Sequence, residues 1–338
     1  MHVTQLDRLL AQMPRRKGLV ARALHWLLAL EAGLMLGLAW YLFARWHGAL
    51  PELSPALMIL LAGLAGLVGL AGLLLVRFAI TLHNFQLAAR VASPCPEKLG
   101  KAQWLRLLLA EFYSTLYSSS WAMLRCAFER HWFGASTTPP VLMVHGYVCN
   151  SGYWHRLSRV LQRERINHFA LDLEPVFGSI DDYVPMLRQA VESICRESGS
   201  EQVIIVAHSM GGLAARAYMR DYGSVRVARL ITIGSPHHGT GIATRGPGVN
   251  SRQMEWLAKD GSKSEWLQAL DKAETPESRK LMTSIFSYQD NIISPQLSSV
   301  LDGAKNVPFV GIGHVELALH PKIHACVLDE IRSVAVAA

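Results

Sequence analysis

The sequence is short of charge. Asp, Glu, Lys and Arg make up 17% of its 338 residues, against 51% apolar ones. The first long apolar stretch, Ala23 to Phe43, holds a single acid, Glu31, and the second, Ala56 to Val76, holds no charge at all. A soluble domain normally carries about a quarter charged residues, so the deficit argues against a wholly aqueous protein. Cysteine is also scarce. Cys95, Cys126, Cys149, Cys195 and Cys326 are an odd number at irregular spacing. That excludes a disulfide framework and a zinc-ribbon pattern, and fits a reducing compartment. Internal repeats and nucleic-acid motifs are absent. The net charge of +7 therefore points to an anionic lipid surface and not to nucleic acid.

What is present divides the chain into segments. Residues 1–22 are basic, with Arg8, Arg15, Arg16, Lys17 and Arg22. Residues 23–80 read as a transmembrane helical hairpin with spans at about 23–43 and 56–76, each long enough to cross a bilayer. A signal peptide is the rival for the first span. A second span follows at once, which disfavours it. A single crossing plus a buried or re-entrant helix is the rival for the pair. Gly33 and Gly37 in one span, and Gly63, Gly66, Gly69 and Gly72 in the other, suggest close backbone packing, with Glu31 turned towards protein. Basic residues flank both outer ends, and only Arg45, opposed by Glu52, lies between the spans. The positive-inside rule then puts both ends on the cytoplasmic side of a bacterial inner membrane. Residues 81–138 form a connector around Pro94, Cys95 and Pro96. Its stretch 101–128 has helical periodicity at Trp104, Leu105, Leu108, Phe112, Leu116 and Met123. Lying on the membrane surface and packing on the following domain are both open to it.

From 139 to 338 strands and helices alternate, which predicts a doubly wound, mostly parallel sheet. Ligands bind such a sheet at the carboxyl ends of its strands. The apolar run 202–206 leads into Ala207-His208-Ser209-Met210-Gly211-Gly212-Leu213 and then a helical stretch. Strand, sharp turn and helix is the setting of a nucleophile elbow, with Ser209 at its tip and small residues, Ala207 and Gly211, two places either side. The helix N-terminus aims amides at developing negative charge. Met210 N–H and Tyr147 N–H, the latter in His145-Gly146-Tyr147 after the first strand of this domain, are the expected oxyanion donors.

A serine needs a base, and in this architecture the order is serine, acid, histidine. His314, on the glycine-flanked loop Gly311-Ile312-Gly313-His314 past the last strand, is the favoured base over His237, His238, His320 and His324. Asp290, after the strand at 284–286, leads Asp260, Asp271 and Asp302 as the acid that orients it. Adjacent His237 and His238 raise a metal reading, but their side chains diverge and no ligand partner is near in sequence, so no metal and no cofactor is expected.

The motifs Val-His-Gly-Tyr (144–147), Ala-His-Ser-Met-Gly-Gly-Leu (207–213), Gly-Ser-Pro-His-His-Gly-Thr (234–240), Asp-Asn-Ile-Ile-Ser-Pro (290–295) and Gly-Ile-Gly-His (311–314) resemble those of bacterial lipases of the α/β-hydrolase fold, triacylglycerol-lipase type. The resemblance spans about 139–336. It implies a triad of Ser209, Asp290 and His314 with Tyr147 and Met210 as oxyanion donors. The stretch 241–279 falls where such lipases carry a lid, and it holds Met254, Trp256, Leu257, Trp266, Leu267 and Leu270. The expectation is a membrane-anchored serine hydrolase of lipid carboxylic esters. A phospholipase or an acyltransferase would use the same residues. A non-catalytic membrane scaffold with a binding α/β domain is the alternative of another class.

Overall fold

The computed structural model describes residues 18–49, 54–257 and 259–337. Most of the basic segment, through Lys17, and the stretch from Leu50 to Leu53 between the spans lie outside the described residues.

Two long helices open the fold, α1 (Leu19–Ala49) and α2 (Pro55–Ala89). Pro55 stands at the first position of α2, and the Ser54 hydroxyl accepts the Leu57 N–H at 3.3 Å, which fixes where the helix begins. Both helices are long and apolar enough to cross a membrane. Their large side chains, Trp26, Leu36, Ile59 and Leu67 among them, face outward. At 35 residues α2 is about 52 Å long, longer than a ~30 Å hydrocarbon layer needs. Its last turns continue past the expected end at Val76 because they have a protein partner. Phe78 and Phe85 meet Phe112 and Trp104 edge to face on α3 (Lys101–Tyr117). Along 101–117, Leu107, Glu111 and Ser114 are buried against protein, whereas Trp104, Leu105 and Leu109 stay exposed.

The glycine-to-glycine packing expected of the two spans is not what joins them. A side chain added at Gly33, Gly37, Gly63, Gly66 or Gly72 would meet nothing within 4 Å, and Gly69 alone faces the other helix, at Met35 and Leu38. The polar link is Glu31, whose carboxylate accepts from Arg77 Nη2 at 2.6 and 2.8 Å. Arg77 Nη1 also donates to Ser120 Oγ at 3.0 Å. Ser120 belongs to a π-turn, Ser118–Ala122, that follows α3. The buried-side prediction for Glu31 agrees with this pairing.

The rest is a seven-stranded sheet in the order β1-β3-β2-β4-β5-β6-β7. Its strands are β1 (Arg130–His131), β2 (Val141–Val144), β3 (His168–Leu171), β4 (Val203–His208), β5 (Val227–Ile233), β6 (Met282–Ser287) and β7 (Lys305–Phe309). Only β1 is antiparallel. Every residue of β2 and β4 is buried, as a central parallel strand covered on both faces requires. Alternation then splits the core in two. Leu142, Val144, Val203, Ile205 and Ala207 pack beneath Leu187 and Val191 of α5 (Val184–Ser198) and Leu213 and Ala217 of α6 (Met210–Tyr222). Val141, Met143, Ile204 and Val206 pack beneath Leu157 and Leu161 of α4 (His155–Arg163) and Ile323, Val327 and Ile331 of α11 (Pro321–Ala337).

Between β5 and β6 the chain is less irregular than its sequence suggests. It forms α7 (Val249–Gln253), α8 (Glu265–Ala273) and α9 (Pro276–Lys280). Of the apolar residues expected on a lid, Met254, Leu267 and Leu270 are buried in the main core, and Trp266 Nε1 donates to Asp181 at 2.8 Å. Trp256 is half-buried and Leu257 exposed. The short helix α10 (His314–Leu317) follows β7 and precedes α11.

Candidate active site

Ser209 stands between β4 and α6 with φ 54° and ψ −126°, a conformation that costs an L-residue energy and survives only where neighbours impose it. The neighbours are identifiable. The Ser209 N–H donates to Ile233 O at 2.9 Å, and the Gly212 N–H donates to Ser209 O at 3.0 Å. Strand and helix cross so closely that a side chain at Gly211 would reach within 2.5 Å of the carbonyl oxygens of Val144 and His145. Ala207, fully buried, is the other small residue the crossing needs. The small residues are local, but the groups that hold the elbow come from β5, at Ile233, and from the end of β2, at Val144 and His145.

The structure brings Asp290 and His314 together. Asp290 Oδ2 accepts from His314 Nδ1 at 2.8 Å, and Oδ1 accepts the N–H groups of Ile292 at 2.8 Å and Ile293 at 2.7 Å. The carboxylate is therefore held on both oxygens and the imidazole is oriented with Nε2 free of it. Burial disfavours the charged imidazole, but Asp290 beside it and Glu111 farther off outweigh burial and raise the His314 pKa above the ordinary histidine value. His208, next to Ser209 in the chain, has its ring centroid 4.6 Å from that of His314. Burial, with His314 nearby, drives its pKa well below the usual histidine range, so it is neutral.

Tyr147 and Met210 flank the same point. A side chain at Gly146 would lie 2.9 Å from Ser209 Cβ, so the peptide that leads to Tyr147 lies against the serine. Met210 is the first residue of α6. Among the described residues, neither N–H takes part in a loop or side-chain hydrogen bond. The Tyr147 hydroxyl is turned away and donates to Pro247 O at 2.5 Å.

The competing residues have other partners. Asp271 is bound by Arg216 and Lys263, Asp260 caps its own loop at Ser262, and Asp302 precedes the turn at Gly303. His237 is buried between Thr232 Oγ1 at 3.0 Å and Arg216 Nη1 at 3.3 Å. His324 Nε2 faces Ala318 O, and His320 Nδ1 accepts the Lys322 N–H.

Four groups around the histidine turn escaped sequence reasoning. Asn291 Oδ1 accepts the His314 N–H at 3.0 Å. His208 Nε2 lies 3.2 Å from His314 O, and the Tyr153 hydroxyl donates to Val315 O at 3.1 Å. Glu111 of α3 accepts the N–H groups of Val315 at 3.0 Å and Glu316 at 2.9 Å. Asn291 and His208 sit inside motifs and were within reach. The available signal for Glu111 was an acid on the otherwise apolar face of 101–117.

A family model described as "alpha/beta hydrolase fold" matches residues 139–254. A triacylglycerol lipase of Pseudarthrobacter phenanthrenivorans is 29% identical over 120 residues, covering 32% of this chain and 36% of that one. One of Pseudomonas fragi is 25% identical over 118 residues, covering 32% and 39%. The chain thus spans little more than a third of these curated relatives. Among solved structures, the mature Bacillus licheniformis lipase BlEst2 superposes with a TM-score of 0.49 at 18% identity, covering 59% of this chain and 94% of that one. With the family match on β2 through α7, and a mostly parallel sheet that ends β4 in a strained serine, this chain has the α/β-hydrolase fold, and 32% of it is similar to a triacylglycerol lipase.

Proposed function

We propose that the protein is a membrane-anchored serine hydrolase of lipid carboxylic esters. The observation that carries this reading is the oriented Asp290–His314 pair beside the strained elbow of Ser209. In the reaction, Ser209 Oγ attacks the ester carbonyl while His314 Nε2 takes its proton. The oxyanion is received by the N–H groups of Tyr147 and Met210. His314 then protonates the departing alcohol, and water releases the acid from the acyl-enzyme by the same steps. Asp290 fixes the tautomer and stabilises the imidazolium. Attack by an alcohol in place of water would make the same residues an acyltransferase. The lipase-type relatives and the two apolar helices favour a water-insoluble acyl ester as substrate.

The test is direct. A fluorophosphonate probe should label the full chain in detergent, at a serine that mass spectrometry assigns to Ser209. A panel of p-nitrophenyl esters, triglycerides and phospholipids should then show turnover that depends on detergent or lipid. No labelling and no turnover across the panel would leave the scaffold reading standing.

The charge asymmetry around the spans supports a cytoplasmic hydrolase domain, because two crossings return the chain to its starting side. An alkaline phosphatase fusion after Ala49 should be active, and a fluorescent-protein fusion after Ala338 should be bright. A dark C-terminal fusion with an active C-terminal phosphatase refutes the orientation.

A further inference from the structure

We propose that Glu111 is a positioning residue for the reaction: from α3, outside the α/β sheet, it holds the turn that carries His314 in register with Asp290. The proposal rests on the reading of His314 as general base.

Glu111 is only 1% exposed. Its Oε1 and Oε2 each accept one backbone N–H, from Val315 and Glu316, the two residues that follow His314. The approach is so close that a side chain at Gly313 would come within 2.5 Å of Oε2. Gly313 has φ −82° and ψ 172°, which any residue adopts. Space for the carboxylate, and not backbone freedom, is what a glycine supplies there.

The bland reading is a carboxylate that caps a short helix. Gly313 has no side chain to cap with, and Glu316 reaches its N–H only at 3.5 Å, so Glu111 supplies the cap; a serine would do the same without burying a charge. Two observations go beyond capping. The turn is also gripped from the opposite side, by Asn291 at the His314 N–H, His208 at the His314 carbonyl and Tyr153 at the Val315 carbonyl. Glu111 completes a set of backbone contacts that leaves the imidazole its ring alone to move. Finally, burial raises the pKa of Glu111 itself, while the Val315 and Glu316 N–H groups on its two oxygens favour the carboxylate, which together with Asp290 favours the protonated imidazole. The groups facing His314 are Asp290, Glu111 and His208, with Tyr153 behind His208, and those around Glu111 include Glu316, with Arg106 acting on Glu316 in turn. Phe112, the next residue on α3, packs on Phe78 of α2. The base is thereby tied to the apolar helices.

The experiment uses the full chain in detergent and p-nitrophenyl butyrate. Glu111→Gln keeps the volume, removes the charge and offers one acceptor to two amides. It should lower kcat roughly ten- to hundredfold with KM little changed, as a misplaced base does, and move the acid limb of kcat/KM to lower pH. Gly313→Ala, which keeps the carboxylate, should also lower kcat, but should cost nothing further in a Glu111→Ala background. Melting temperatures identify any variant that merely unfolds. The His314 titration, followed by NMR on histidine-labelled protein, needs no turnover and should shift to lower pH in Glu111→Gln. An unmoved titration and acid limb, or a Gly313→Ala penalty equal in both backgrounds, overturns the proposal. An active Ser209→Ala protein would overturn the triad reading instead, and the NMR titration would still decide whether Glu111 acts on His314.

Discussion

Ser209→Ala should abolish ester hydrolysis, by about a millionfold in kcat, in a protein that still folds and melts as the parent does. His314→Ala should cost about as much, and the double variant no more than either single one, because nucleophile and base act as a unit. Asp290→Asn should cost less, roughly ten-thousandfold. The amide would still accept from the Ile292 and Ile293 N–H groups through its oxygen, but would then turn an NH2 towards His314 Nδ1, where Asp290 now accepts. That forces the other tautomer and leaves Nε2 protonated and useless as a base. The pH dependence follows from the raised His314 pKa. The base works only when neutral, so activity falls as pH drops through that pKa. The acid limb of kcat/KM should therefore lie above the ordinary histidine pKa. Steady-state kinetics in detergent, with circular dichroism as the folding control, checks all of these. A purified Ser209→Ala protein with parental activity sinks the assignment.

The elbow was legible in the sequence because its marks are local: small residues at 207 and 211, a β-branched strand before and a helix after. What holds its strained backbone, Ile233 O and the end of β2, is not local. Asp290 and His314 were legible for another reason: each follows a strand, and a parallel sheet delivers the ends of its strands to one edge. The central strands β2, β4 and β5 announce themselves as short apolar runs, β6 and β7 show only a few apolar residues each, and the two residues of β1 carry no pattern and pair with the edge of β3. Helix α8 was missed although its signals were present. Ser264 caps it through the Leu267 N–H at 3.2 Å, and Leu267 and Leu270 share its buried face. Reading those leucines as a cover for a cleft hid the period that packs them on the core. The glycine rows misled in the opposite direction. Gly63, Gly66 and Gly72 make close approach available, and the hairpin does not use it. An acid among apolar residues marked Glu111, but its role, like that of Arg216, was beyond sequence reading, since the partners of each lie on elements distant in the chain.

Arg216→Met should destabilise the protein by about 3 kcal/mol, near the lower end of what breaking a buried ion pair costs, and lower its melting temperature by roughly 6–12 °C. Arg216 lies on the helix that follows the elbow and is 0% exposed. Its guanidinium forks onto Glu274 at 2.6 and 2.8 Å and reaches Asp271 at 2.7 Å. Both acids belong to the insertion between β5 and β6, one on α8 and one just after it. Methionine fills the stem's volume but strands Glu274, whose side chain is 2% exposed. The loss is limited because Arg279 Nε still donates to Glu274 at 3.0 Å, and Lys263 still holds Asp271. Adding Glu274→Gln to Arg216→Met should therefore recover part of the stability, since no buried charge is then left half-paired. The same network bears on how the insertion works. It clamps α8 to α6 by ions, and Leu267 and Leu270 add apolar contact. Limited proteolysis should accordingly cut near 257–263 in the parent and extend into 265–273 only in Arg216→Met. Cleavage of α8 in the parent at the same rate would show that the clamp does not hold it.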